Sequence, residues 1–145
     1  MAKIKFEERS CTACAACALA CMDEKDVDVT VTKPYRIVKT EESLVDGTPV
    51  FRFRSLSCRH CDNAPCMKAC PMGCFYRDGA LGLVRYDNGC CIGCRACQRA
   101  CPYDAISFGG DGRVEKCDGC AERQNRGQIP ACVRVCPFGA LTMEP

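Results

Sequence analysis

Apolar and polar positions alternate most clearly between residues 23 and 57, a stretch without cysteine. Val27, Val29 and Val31 alternate with polar residues. Tyr35-Arg36-Ile37-Val38 and Val50-Phe51-Arg52-Phe53 each read as a strand, with a turn region containing Asp46-Gly47 between them. This pattern predicts a β-hairpin insert. Elsewhere the apolar segments are shorter. Residues 79–87 read as a small strand pair after Asp78-Gly79. Residues 105–116 read as a strand and a Gly-rich turn, and Phe138 to Met143 as a closing strand. Residues 11–22 are Ala-rich and partly helical, and residues 1–10 are a charged lead-in.

Between these segments lie cysteines in four groups of fixed spacing. The first is Cys11, Cys14, Cys17 and Cys21. The second is Cys58, Cys61, Cys66 and Cys70. The third is Cys91, Cys94, Cys97 and Cys101, and the fourth is Cys117, Cys120, Cys132 and Cys136. Three of the groups end in one repeated unit: Cys70-Pro71-Met72-Gly73-Cys74, Cys101-Pro102-Tyr103-Asp104-Ala105 and Cys136-Pro137-Phe138-Gly139-Ala140.

A Cys-x2-Cys-x2-Cys loop wraps closely around one centre, and small residues such as Ala13, Ala15, Gly93 and Ala96 let backbone amides approach the sulfurs. The fourth cysteine, followed by proline, is carried away from that centre; in two-cluster ferredoxins it ligates the other cluster. The first and third groups carry this loop, while the second and fourth are spread wider, with x4 and x11 between their second and third cysteines. Three of the four end in Cys-Pro, and together they predict four [4Fe–4S] clusters, and so an electron wire. Zinc ribbons also use paired Cys-x2-Cys, but need neither the third cysteine at x2 nor the Cys-Pro ending. Cys90-x3-Cys94-x2-Cys97 has radical-SAM spacing, but it overlaps the better quartet in a chain too short for the barrel that chemistry uses. His60, the lone histidine, sits inside a complete cysteine quartet and reads as a neighbour of the cluster, not a ligand.

Composition supports the same picture. Cysteine supplies 18 of the residues behind the 48% hydrophobic figure, so ordinary apolar side chains make a thin core. Clusters would complete it, making metal binding part of the folding free energy. The formal net charge of +2 counts cysteine as neutral; four oxidised all-cysteinate clusters bring the chain to about −6. Nothing in this balance points to nucleic acid. Arg52, Arg54, Arg59, Lys68, Arg95 and Arg99 lie between or beside ligands, as solvated charge or as cations offsetting the clusters. No leader, apolar span of membrane length or extracellular disulfide framework is evident, so a cytoplasmic setting without a direct membrane anchor is expected. No nucleotide loop or acid–base constellation appears, so no catalytic residue is assigned.

The order of spacings resembles the four-cluster iron–sulfur subunits of dimethyl-sulfoxide-reductase and formate-dehydrogenase type complexes. That polyferredoxin family also includes electron-transfer subunits of hydrogenases and small subunits of tungsten aldehyde oxidoreductase complexes. CRHCDNAPCMKACP, CIGCRACQRACPYDAISF and EKCDGCAERQNRGQIPACVRVCPFGAL carry the resemblance most specifically. Spacing alone leaves open which quartets pair, nested or in tandem. The resemblance implies the nested form. One cluster takes Cys11, Cys14, Cys17 and Cys136, and its partner takes Cys117, Cys120, Cys132 and Cys21. The inner pair takes Cys58, Cys61, Cys66 with Cys101, and Cys91, Cys94, Cys97 with Cys70. Cys74 and Cys90 remain as extra, non-ligand thiols.

The implied fold is α+β: a single four-cluster domain over residues 1–145 built as two nested bacterial ferredoxin-like dicluster modules. The outer module spans 1–22 plus 105–145, the β insert 23–57 and the inner module 58–104. The implied role is an electron-transfer subunit beside a large catalytic oxidoreductase subunit, a tungsten or molybdenum pterin enzyme of aldehyde oxidoreductase or formate dehydrogenase type being favoured. A flavin/NAD subunit or a ferredoxin would be the second partner, and self-stacking of copies is conceivable. A hydrogenase subunit and a free-standing diffusible ferredoxin are the alternatives.

Overall fold

The computed structural model describes residues 3–144, so the first two residues of the lead-in and the last residue of the outer module lie outside it. Four small antiparallel sheets of two strands each alternate with short helices. Strand β1 (Ile4–Phe6) precedes helix α1 (Ala16–Lys25). The hairpin follows as β2 (Ile37–Val45) and β3 (Thr48–Leu56). Helix α2 (Pro65–Ala69) leads to β4 (Phe75–Arg77) and β5 (Val84–Tyr86). Helix α3 (Ala96–Ala100) leads to β6 (Ile106–Phe108) and β7 (Val114–Lys116). Helices α4 (Ala121–Asn125) and α5 (Ala131–Val135) and strand β8 (Leu141–Met143) complete the order.

The hairpin follows its turn chemistry. Asp46 and Gly47 both have positive φ, at 50° and 76°, the requirement of a two-residue type I′ turn between right-twisted strands. Its register runs from Val45 opposite Thr48 to Ile37 opposite Leu56. Only the end near Leu56 packs onto the body; Leu44, Val45 and Phe51 are exposed on the projecting half. The strand therefore starts at Ile37 and runs past Val38. Val27, Val29 and Val31 are not in a strand at all. Asp28 Oδ1 accepts from the Thr30 amide and hydroxyl, bending the chain into a turn that leaves Val29 and Val31 exposed.

Three further boundaries differ from the sequence pattern. Helix α1 continues to Lys25, inside the stretch read as the insert. The small strand pair straddles Asp78-Gly79: Phe75–Arg77 pairs with Val84–Tyr86, while Asp78 Oδ1 accepts from the Ala80 and Leu81 amides in the turn. The charged lead-in contains a strand, with Ile4 opposite Met143 and Phe6 opposite Leu141.

The apolar interior is divided and small. One cluster joins Phe75, Val84, Ile106, Phe108 and Val114 from β4 to β7. Another sets Ile4, Phe6, Val38 and Leu141 against Cys17 and Cys132. Helix α2 packs on α3, and α1 packs on α5. Each helix pair brings motif cysteines from distant parts of the chain side by side.

Candidate metal centres

The cysteine loops share one backbone device. In each quartet the residue before the second cysteine is left-handed: Ala13, His60, Gly93 and Gly119 have φ of 59°, 48°, 71° and 72°. That conformation turns its amide back onto the first sulfur. His60 N–H donates to Cys58 Sγ at 3.4 Å, Gly93 N–H to Cys91 Sγ at 3.4 Å and Gly119 N–H to Cys117 Sγ at 3.3 Å. Only glycine suits the last position, because a Cβ there would meet Leu83 Cδ1 at 2.7 Å.

The Cys-Pro units repeat a second device. Gly73, Asp104 and Gly139 are all left-handed, with φ of 65°, 51° and 64°. Cys74 N–H donates to Cys70 Sγ at 3.4 Å, and Ala140 N–H to Cys136 Sγ at 3.3 Å. Burial raises the Cys136 thiol, yet the amides of Phe138, Leu141, Ala140 and Gly139 outweigh it and hold the thiol below its ordinary value. The Cys70 and Cys136 turns thus favour negative charge on their sulfurs.

The sulfurs gather around small apolar cavities. One is lined by Cys91, Cys94, Cys97 and Cys70, with Phe75, Phe108 and Val114 on its walls. One is lined by Cys11, Cys14, Cys17 and Cys136. One is lined by Cys58, Cys61, Cys66 and Cys101. Cys21 lies in the electrostatic reach of Cys117, Cys132 and Cys120; burial first, and then these three neighbours, push its thiol up to about 12. Cys74 also reaches the wall of the Cys70 cavity, and Cys90 stands beside it.

The donor sets fit a polynuclear cluster. Among the described residues no three or more His, Cys, Asp or Glu side chains converge closely enough to hold a single metal ion. The thiols instead stand apart around cavities. Burial raises Cys97, Cys120 and Cys132 as well, so these groups resist ionising together without a compensating cation. A ferric–ferrous sulfide core held by these cysteines would supply that charge.

Two buried cations face these sets. Lys116 is 1% exposed, and its ammonium uses all three donors: to Val84 O, to Cys117 O at 2.8 Å and to Cys58 Sγ at 3.5 Å. Arg36 is 4% exposed and donates to Ser55 Oγ at 2.9 Å and Ser57 Oγ at 2.7 Å. Ser55 Oγ also lies 3.3 Å from Cys17 Sγ, to which its hydroxyl would donate once that sulfur is ionised. Burial pushes the Cys132 thiol up and Arg36 pulls it part of the way back. His60 is buried between two sets. Its Nδ1 accepts from the Val84 amide at 3.0 Å, so Nε2 carries the proton and faces Cys117 Sγ at 4.0 Å. Burial and the Lys116 charge lower its pKa to about 3, leaving the ring neutral.

The six basic residues singled out in the sequence are placed differently. Arg52 grips the Glu8 carboxylate through two bonds of 2.7 and 2.9 Å. Arg54 stands 3.7 Å from Glu41. Arg59 lies over the Tyr103 ring and Arg95 over the Phe108 ring. Arg99 donates to Cys94 O at 3.3 Å, and Lys68 is exposed. Sequence reasoning missed Arg36 and Lys116. For Lys116 a signal existed: it shares a strand face with Val114 by period two, and Val114 is core.

No helix among the described residues is long and apolar enough to cross a membrane. Residues 49–145 match the family described as 4Fe-4S dicluster domain. The protein is 39% identical over 148 residues to the B subunit of anaerobic dimethyl sulfoxide reductase from Haemophilus influenzae, covering 97% of its own length and 72% of that relative. It is 39% identical over 137 residues to the thiosulfate reductase electron transfer subunit PhsB of Salmonella typhi, covering 93% and 71%. Protein NrfC of Escherichia coli is 37% identical over 138 residues, covering 94% and 61%.

Proposed function

This chain belongs to the 4Fe-4S dicluster domain family, as a non-catalytic iron–sulfur electron-transfer subunit, and from that premise we propose how its cysteines divide the clusters. The sets are Cys11, Cys14, Cys17 with Cys136; Cys117, Cys120, Cys132 with Cys21; Cys58, Cys61, Cys66 with Cys101; and Cys91, Cys94, Cys97 with Cys70. The observation that carries this reading is that every fourth cysteine lines or neighbours the site of a different quartet. The packing of α1 on α5 and of α2 on α3 supports two nested ferredoxin modules, the outer from 1–22 plus 105–145 and the inner from 58–104, with the hairpin between them.

The clusters pass single electrons between a large catalytic subunit and a second redox partner. The protein's own groups hold the sulfurs, aim amides at them and oppose their charge with Arg36 and Lys116. The catalytic partner is a tungsten or molybdenum pterin oxidoreductase, of aldehyde oxidoreductase or formate dehydrogenase type. The relatives' names make a sulfoxide or thiosulfate reductase the competing choice. A cytoplasmic setting, which keeps thiols reduced, suits the sixteen motif cysteines.

An anaerobic native pull-down with metal analysis of the intact eluate tests this. About sixteen irons per chain with tungsten or molybdenum and a large co-eluting subunit is the expected result. Sixteen irons and no second protein would favour a diffusible ferredoxin. Zinc, or far less iron, would overturn the four-cluster reading.

A further inference from the structure

The two cysteines outside the ligand sets are neighbours. Cys74 ends the first Cys-Pro unit, at the position that Ala105 and Ala140 take in the other copies. It is 2% exposed, at the wall of the Cys70 cavity. Cys90 is exposed, in the short 3-10 turn Asn88–Cys90 that runs directly into Cys91. Their sulfurs are 2.7 Å apart, longer than a disulfide bond and shorter than an ordinary contact between unbonded sulfurs. The backbone braces the approach: Asp87 N–H donates to Cys74 O at 2.8 Å, extending the β4–β5 ladder toward the turn. One thiol of the pair is thus reachable from solvent, and the other is held behind it.

We propose that Cys74 and Cys90 form a reversible dithiol–disulfide site that reacts with low-molecular-weight disulfides. The exposed Cys90 sulfur attacks one sulfur of the small disulfide, forming a mixed disulfide and releasing one small thiol. Cys74 then attacks the Cys90 sulfur, closing the Cys74–Cys90 bond and releasing the second thiol. The two cysteines lose two electrons and two hydrogens, and the small disulfide gains both. The reverse exchange with excess small thiol reopens the bond. Closure ties the strand after Cys70 to the turn before Cys91, two cysteines of one cavity, so its state bears on that cluster in particular. This last consequence rests on the ligand assignment above; the disulfide itself does not.

The test uses the iron-loaded protein under anaerobic conditions. It is treated with glutathione disulfide, alkylated and mapped by non-reducing peptide mass spectrometry, with iron counted on the same sample. The expected product is a linked Cys74–Cys90 peptide two hydrogens lighter than the reduced pair, with iron retained and the link lost on adding dithiothreitol. C74A, a change to the residue of the sister repeats, should halt at a glutathione adduct on Cys90, and C90S should give neither product. The electron paramagnetic resonance signal of one cluster should change on oxidation of the wild type and stay unchanged in C90S. Alkylation of Cys90 in iron-replete wild type with no linked peptide would overturn the proposal, and so would identical glutathione adducts in wild type and C74A. Low iron in the untreated sample would instead count against the cluster reading, so the two failures are distinguishable.

Discussion

Replacing Lys116 with methionine removes a buried positive charge while keeping a long apolar stem. The ammonium is 3.5 Å from Cys58 Sγ, and an electron added to the proposed Cys58, Cys61, Cys66, Cys101 cluster spreads over the whole core, so a mean separation of roughly 6 Å is appropriate. At an effective dielectric near 20 the lost attraction is about 3 kcal/mol, or about 120 mV for a one-electron couple. The midpoint potential of that cluster should therefore fall by about 100 mV, with a smaller fall for the set containing Cys117, whose carbonyl also binds Lys116. Potentiometric titration followed by electron paramagnetic resonance on anaerobic, iron-replete protein measures this. Exposed Lys68, two residues from both Cys66 and Cys70, is the control. Solvent screening limits K68M to roughly 20 mV. Equal shifts in K116M and K68M, or four potentials unmoved in K116M, would refute the argument that burial rather than sequence proximity makes the charge count.

Arg36→Met should lower the potential of the set containing Cys132 in the same titration, and Arg36→Lys should restore part of it, because the guanidinium opposes burial at that thiol. Gly119→Ala forces a side chain into Leu83 at positive φ and should cost about 1–3 kcal/mol, read as a lower melting temperature and depleted iron. Anaerobic iron chelation should abolish cooperative melting altogether, since the divided apolar core is too small to hold without its clusters; an apoprotein with a sharp transition would contradict this. Arg52 holds the Glu8 carboxyl below its ordinary 4.5, so this tether contributes above that pH and is lost as pH falls through the folded value. Protection factors of the hairpin amides around Arg52, taken against the intrinsic exchange rate at each pH, should fall there in wild type and be low already at neutral pH in E8Q.

Local chemistry was readable from the sequence wherever one or two residues determine it. Asp46-Gly47 announces the hairpin turn, and the three Cys-Pro units announce three copies of one left-handed corner. What escaped depends on distant partners. Ile4 and Phe6 form a strand only because Leu141 and Met143 lie opposite, and the surrounding charges hide that pairing. The alternating valines from residue 27 lose to Asp28, whose carboxylate bends the chain before any strand forms. Arg36 sits in an apolar run and looks like the solvent side of a strand. Its burial follows from Ser55 and Ser57 across the hairpin and from Cys132 nearly a hundred residues on. The gathering of each fourth cysteine likewise follows from helix packing that no local pattern encodes.

The pairing of β1 with β8 has a temporal consequence. A ribosome delivers residue 4 well over a hundred residues before residue 141, so the β1–β8 sheet can form only after everything between the two strands has been made. Until then Ile4 and Phe6 have no partner strand, and the cavity lined by Cys11, Cys14 and Cys17 lacks its Cys136 wall. The cavities lined by residues between 58 and 116 are complete before Cys136 and Leu141 are made. Iron delivered during synthesis would thus enter from the middle of the chain outward, and a stalled or truncated product would carry the inner sites while leaving the outer ones open.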